Sequence, residues 1–331
     1  MMKRLLLCAV LAFCLIPAAA FAKTELLVYT AVETELMGPY KAAFEKACPD
    51  IAIKWVRDSA GIITARLLAE REAPKADVVF GLNVTSVLLL DQQGLLQSYS
   101  PKGAESLPGF MRDAREKPVW AGMSACPAAI CINTKELARH GLPIPGTWAD
   151  LTKPEYKGHI VMSNPGSSGT AYSIVSSWLQ AWGEEKAWEF MAGLDKNIKM
   201  YTQSGSRPAE MAARGETVIG ISEAAFARTL GMKGAPLEVV VLDNPVPLDM
   251  EASAVIKGTA KLEAAQKLLD FSVSPEMAAI VGARSCVTAR PEITEAEARK
   301  IPEVMGNYDF AEAAQKRQET IEAWRGRFDV R

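Results

Sequence analysis

The residues best suited to chemistry lie in Asn164-Pro165-Gly166-Ser167-Ser168-Gly169-Thr170. They follow a short apolar run, His159-Ile160-Val161-Met162, and precede a helical pattern that begins near Ala171. First-turn amides of a helix have no intrahelical acceptor, and the helix dipole is positive there. Ser and Thr hydroxyls beside such amides make a place for an anion. The same residues also describe an ordinary cap, with Ser168 or Thr170 satisfying its own helix. On pattern alone the cap ranks first. The anion site needs support from the rest of the chain.

That support comes from the elements around the stretch. Buried strands are expected at Glu25–Thr30, Ile51–Val56 and Ala76–Phe80, and helices at Leu36–Lys46, Ile62–Arg71 and Ser86–Gln92. The second half repeats the alternation, with strands at 128–132, 160–162, 198–201, 218–222, 237–242 and 252–256. Strand–helix alternation implies parallel sheets covered by helices, here as two αβ lobes. Ligands of such sheets sit beyond the carboxyl ends of the strands. Five loops at that position are rich in hydroxyls, small residues or glycine: 30–33, 57–61, 81–86, 164–170 and 202–207. One such loop means little, but five together suggest a polar cleft for a small solute.

Residues 1–22 read as a removable export leader. Lys3 and Arg4 open it, Leu5–Leu15 is apolar but too short to span a bilayer, and Ala20-Phe21-Ala22 is a cleavage site. Lys23 is then the mature N-terminus, and the periplasm the expected location. Removing Lys3 and Arg4 from 37 basic residues leaves 35 against 39 acidic ones, a formal charge of −4. With no long basic run, no nucleic-acid partner is expected. Cys48, Cys126, Cys131 and Cys286 remain after cleavage. An exported chain permits disulfides, and four cysteines allow three full pairings. Cys126 and Cys131 are close enough in sequence for a local bridge, yet buried free thiols are equally compatible.

Catalysis is poorly supported. Ser167-Ser168-Gly169 lacks the G-x-S-x-G elbow, and no His sits near a nucleophile. Ferric iron would ask for hard oxygen donors such as adjacent tyrosines, and the chain has no Tyr-Tyr pair. The two histidines, His140 and His159, read as structural or exposed. No cofactor and no metal are expected.

Several stretches carry a resemblance. They are Leu27-Val28-Tyr29-Thr30-Ala31, Trp55-Val56-Arg57-Asp58-Ser59, the run from Ile160 to Thr170, Tyr201–Pro208, Ile219–Ser222, Asp249-Met250-Glu251-Ala252, Tyr308-Asp309-Phe310 and Glu322–Arg325. With them the chain resembles the solute-binding proteins of ABC importers, and most of all the branch that binds 2-aminoethylphosphonate, itself related to ferric-iron-binding proteins. The resemblance implies a two-lobed, type II Venus-flytrap fold with a hinge of strand crossovers near 120–126 and 245–252. It divides the mature chain into lobe one, 23–122 plus 250–290, and lobe two, 123–249 plus 291–331. It implies a monomer that captures a small anion or zwitterion and delivers it to a membrane permease.

Within that picture the phosphonate head sits on Ser168, Gly169 and Thr170. Ser59, Thr85 and Ser86 close from the other lobe, and Ser204 and Ser206 add donors. Arg207 is a candidate charge partner. Ala31, Asn83 and Ser222 complete the expected lining. Asp249 and Glu251, at the second crossover, are the expected partners of an ammonium group, with Asp249 preferred and Glu33 and Glu223 as weaker candidates. Ferric iron, or another small organic anion or zwitterion, is the alternative cargo.

Overall fold

The computed structural model describes residues 23–284, 286–290, 292 and 308–328. The expected leader, 1–22, lies outside the described residues. The strands are β1 (Thr24–Thr30), β2 (Ile51–Arg57), β3 (Val78–Asn83), β4 (Leu96–Gln97), β5 (Ala121–Asn133), β6 (Ile160–Ser163), β7 (Ile198–Thr202), β8 (Ile219–Glu223), β9 (Leu237–Val240), β10 (Leu248–Ile256) and β11 (Val287–Thr288). The helices from the N-terminus are α1 (Thr34–Ala47), α2 (Ala60–Ala69), α3 (Val84–Gln92), α4 (Thr134–His140), α5 (Gly169–Trp182), α6 (Glu184–Asp195), α7 (Arg207–Ala213), α8 (Ala224–Met232), α9 (Leu262–Ser272) and α10 (Pro275–Gly282). Two more helices, Phe310–Gln315 and Arg317–Phe328, end the described chain.

Strand order along the sheet path is β2-β1-β3-β10-β5-β8-β6-β7. This is the mixed αβ, two-lobed architecture expected. The join is β5, thirteen residues long and buried throughout. Its first half, Ala121–Pro127, pairs antiparallel with β10, and its second half, Ala128–Ile132, pairs antiparallel with β8. At roughly 3.3 Å per residue such a strand is long enough to run from one lobe into the other. The return connection is tied alongside it, because the Ala128 amide donates to the Pro247 carbonyl at 2.8 Å.

Each lobe has its own core. In the first, alternate residues of the central strands serve opposite faces. Tyr29 and Val79 join one cluster with Ile63 and Leu90, while Val28, Val78 and Phe80 join the other with Phe44 and Leu268. The near-continuous burial of β3 follows, since helices cover both faces. The second lobe is centred on Trp148, Trp178, Ile160 and Ile219. The C-terminal helices touch both lobes. Phe310 packs against the first lobe's core, and Trp324 and Phe328 enter the second's.

The cysteines correct the local-bridge expectation. Cys126 pairs with Cys286, 160 residues away, with Cα atoms 4.8 Å apart, and Cys48 and Cys131 stay free. Cys126 and Cys131 both lie in β5, five residues apart. An odd separation on a strand puts side chains on opposite faces, and the extended backbone holds them apart.

Candidate functional site

Between the lobes runs a cleft lined by Ala31, Glu33, Arg57, Ser59, Ala60, Gly81, Asn83, Ser168, Gly169, Thr170, Ser204, Gly205, Glu223, Asp249 and Glu251. The positions have one logic. Ala31 and Glu33 follow β1, Ser59 and Ala60 follow β2, Asn83 ends β3, Ser168 follows β6, Ser204 follows β7 and Glu223 ends β8. All stand at strand carboxyl ends where a helix is about to start. Asp249 and Glu251 enter from β10, the strand beside the crossover.

At one end two helix N-termini converge. Ser168 caps α5, its hydroxyl accepting from the Ala171 amide at 3.2 Å. The cap leaves Gly169 and Thr170 with amides for which no acceptor occurs among the described residues. Ser59 stands at the N-cap of α2 but makes no side-chain cap bond, so its hydroxyl is available to the cleft. The lobes are in contact here. The Gly61 amide donates to the Ser167 carbonyl at 2.8 Å. A Cβ on Gly61 would lie 2.2 Å from the Gly166 carbonyl oxygen, and one on Gly169 would lie 2.6 Å from Asn83 Cβ. Both positions therefore require glycine in this arrangement.

Across the middle runs a polar bridge. Asn83 Nδ2 donates to Asp249 Oδ1 at 2.5 Å and to Ser173 Oγ at 3.0 Å, and Thr170 Oγ1 donates to Asp249 Oδ2 at 2.6 Å. Asp249 is thus held from both lobes. Burial pushes its pKa up, opposed by the bonds from Thr170 and Asn83. The expectation that Asp249 is the preferred ammonium partner meets this geometry: both of its oxygens already accept.

The other end is acidic. Glu251 Oε2 accepts from Ser124 at 2.6 Å, and Glu223 Oε1 accepts from Arg284 at 2.9 Å. Glu33 lies 3.6 Å from an Arg57 guanidinium nitrogen. Burial, reinforced by repulsion from Glu223, raises the Glu33 carboxyl to about 8. The same two causes raise Glu251 to about 7, with Arg284 opposing. Burial raises Glu223 as well, again against Arg284. A carboxyl raised in this way keeps its proton to higher pH than an ordinary one and, while protonated, can both donate to and accept from hydroxyl groups.

Of the expected lining, Ala31, Ser59, Asn83, Ser168, Gly169, Thr170, Ser204, Asp249 and Glu251 face the cleft. Five others do not. Arg207 is turned away, its guanidinium engaged by Glu210 at 3.1 Å and Glu216 at 3.3 Å. Ser206 hydrogen-bonds Ser204 at 2.8 Å and so supports the loop from behind. Ser222 donates to the Gly205 carbonyl at 2.7 Å. Thr85 and Ser86 are buried in the first turn of α3, where Thr85 Oγ1 donates to Asn83 Oδ1. Arg57 and Gly205, from loops of the expected kind, also line the cleft, as do Glu33 and Glu223, the weaker acid candidates. The signal for all four is the strand-end position.

A model of the family described as bacterial extracellular solute-binding protein matches residues 73–313. The chain belongs to that family. Among relatives of this solute-binding protein is an uncharacterized protein of Haemophilus influenzae, 29% identical over 325 residues, 93% of this chain and 92% of that one. Another is a probable ABC transporter periplasmic-binding protein, y4fP, of Sinorhizobium fredii, 28% identical over 240 residues, 70% of this chain and 65% of the relative. Among solved structures, the periplasmic binding protein AfuA of Actinobacillus pleuropneumoniae, with fructose-6-phosphate bound, superposes with a TM-score of 0.87 at 28% identity, covering 94% of this chain and 100% of AfuA. Iron-bound HitA of Pseudomonas aeruginosa gives 0.77 at 18% identity, covering 91% and 99%, a likeness of fold alone. The family's role is the binding of a solute outside the cell's interior.

Proposed function

We propose that the solute is a small phosphorylated polyol, held with its phosphate on the Gly169 and Thr170 amides and its hydroxyls on Glu33, Glu223 and Glu251. One observation carries this reading: unpartnered helix-start amides and buried carboxyls with raised pKa values line one cleft. Helix-start amides suit a phosphate. Raised-pKa carboxyls suit hydroxyls, which need both donors and acceptors. AfuA, similar along nearly its whole length, has a phosphorylated sugar bound.

A second reading retains the phosphonate of the sequence-based expectation. In it the same amides hold the head of 2-aminoethylphosphonate. Its ammonium rests among Glu33, Glu223 and Glu251, with Asp249 acting as the interlobe bridge. The presence of three carboxyls at that end favours it. A ferric cargo gains little: no tyrosine lines the cleft among the described residues. We also propose that the exported form begins at Lys23 and acts as a monomer that closes on its solute.

Titration calorimetry against fructose 6-phosphate, 2-aminoethylphosphonate, fructose, inorganic phosphate and ferric citrate tests the ranking. The expected result is tightest binding of the phosphorylated sugar, at least 100-fold above fructose. Preference for 2-aminoethylphosphonate would promote the second reading. Binding of iron without either phosphorus compound would overturn both.

A further inference from the structure

Arg284 is buried, 8% exposed, in the turn that follows α10. It does not line the cleft, yet its Nη2 donates to Glu223 Oε1 at 2.9 Å from behind the acidic wall. Its charge also acts on Glu251 and Glu33. Two residues along the chain, Cys286 is bonded to Cys126, whose register partner in β10 is Asp249. The sulfurs and a Glu223 carboxylate oxygen lie within 4.8 Å of one another. The arginine is thus moored covalently to the strand that crosses between the lobes. Arg57, the other cation at this end, differs: it lines the cleft itself, its Nε donating to the Val32 carbonyl at 3.2 Å and its Nη2 lying 3.6 Å from Glu33.

A pocket carrying Glu33, Glu223, Glu251 and nearby Asp249 would by composition attract a hard, oxygen-seeking cation. We infer that Arg284 is a specificity-determining residue: as the fixed counter-charge behind Glu223, it excludes multivalent metal cations from the acidic end and reserves those carboxyls for an organic solute. The inference rests on the cleft being the solute site. It needs no particular solute, because a buried charge 2.9 Å from the Glu223 carboxylate is weakly screened.

The test uses terbium(III), a hard trivalent ion read by its luminescence, on the full mature chain near neutral pH. Wild type is expected to bind it weakly and Arg284→Gln at least tenfold more tightly. Arg284→Lys, which keeps the charge, should stay within threefold of wild type. The double variant Glu223→Gln with Arg284→Gln removes one charge of each sign and should return to within threefold of wild type. An Arg284→Gln protein that gains nothing, or a double variant that keeps the gain, overturns the inference. Should Arg284→Gln fail to fold, Arg284→Met decides on the same terms: terbium binding must tighten at least tenfold, and unchanged or weaker binding refutes it. No phosphorus compound enters the assay, so its failure is separable from failure of the phosphate reading.

Discussion

At the Ser168–Thr170 end of the cleft the polar groups are amides and hydroxyls without formal charge. At the Glu33–Glu223–Glu251 end they are carboxyls whose burial has raised their pKa values. The first end is made by backbone geometry: a helix start supplies donors whatever its side chains, and the Ser168 cap consumes only the Ala171 amide. The second is made by side chains that tolerate one another because protons and Arg284 offset their charge. An anion can therefore be recognised at one end without a lysine or arginine, and hydroxyls at the other without fully ionised acids. The two ends are separately breakable.

The largest effect is expected where both ends depend on the lobes meeting. In Gly61→Ala the new Cβ would collide with the Gly166 carbonyl oxygen, a backbone atom that cannot rotate away. Affinity for the solute should fall at least 100-fold, about 2.8 kcal/mol. X-ray scattering should show the lobes held apart in saturating solute. Closure with native affinity would mean the observed lobe contact is not the binding state.

Breaking the amide end, together with the Thr170 bond to Asp249, comes next. Ser168→Ala with Thr170→Pro removes a cap and an N–H while keeping a residue type that first turns accept. A tenfold or greater loss of affinity, about 1.4 kcal/mol, is expected for any phosphorylated solute. Fructose, lacking the anion, should lose less, only what the Thr170–Asp249 bond supplies. Equal losses for both would show general damage to α5.

The acidic end is sharpened by pH. Glu33 is raised to about 8 and Glu251 to about 7 in the folded state. Unfolded carboxyls ionise near 4.3. The contribution of these groups to stability is fully present below that value. It is lost as pH rises, through about 7 for Glu251 and about 8 for Glu33. The solute-free protein should thus melt at progressively lower temperature from mildly acid to mildly alkaline pH. Glu33→Gln should flatten the upper part of that slope, and a wild-type profile in the variant would contradict the placement. The smallest effect belongs to Arg207→Ala, whose guanidinium is spent on Glu210 and Glu216. Its solute affinity should remain within threefold by the same calorimetry.

The lobes and the loops were legible because they depend on periodicity and on where strands end. Both are written locally in runs such as Leu26–Thr30 and in the glycine–serine turn before α5. Side-chain direction within a loop is not local. Arg207 stands at a helix start and reads as a charge aimed at an anion, but Glu210 and Glu216 on its own helix and turn capture it. Ser204 reaches the cleft while Ser206, two residues on, supports Ser204 from behind. Asp249 was legible as a cleft acid, yet its role as a bridge needed Asn83 and Thr170 from separate lobes. The Cys126–Cys286 bond joins positions 160 residues apart, and only tertiary placement chooses it over the local alternative.

The central claim is that the Gly169 and Thr170 amides hold the negatively charged group of the solute. A crystal structure of the protein with fructose 6-phosphate tests it most directly. The account predicts phosphate oxygens within hydrogen-bond distance of both amides, with the sugar hydroxyls toward Glu33, Glu223 and Glu251. A phosphate bound away from the α5 start, with these two amides still unpartnered, would contradict it.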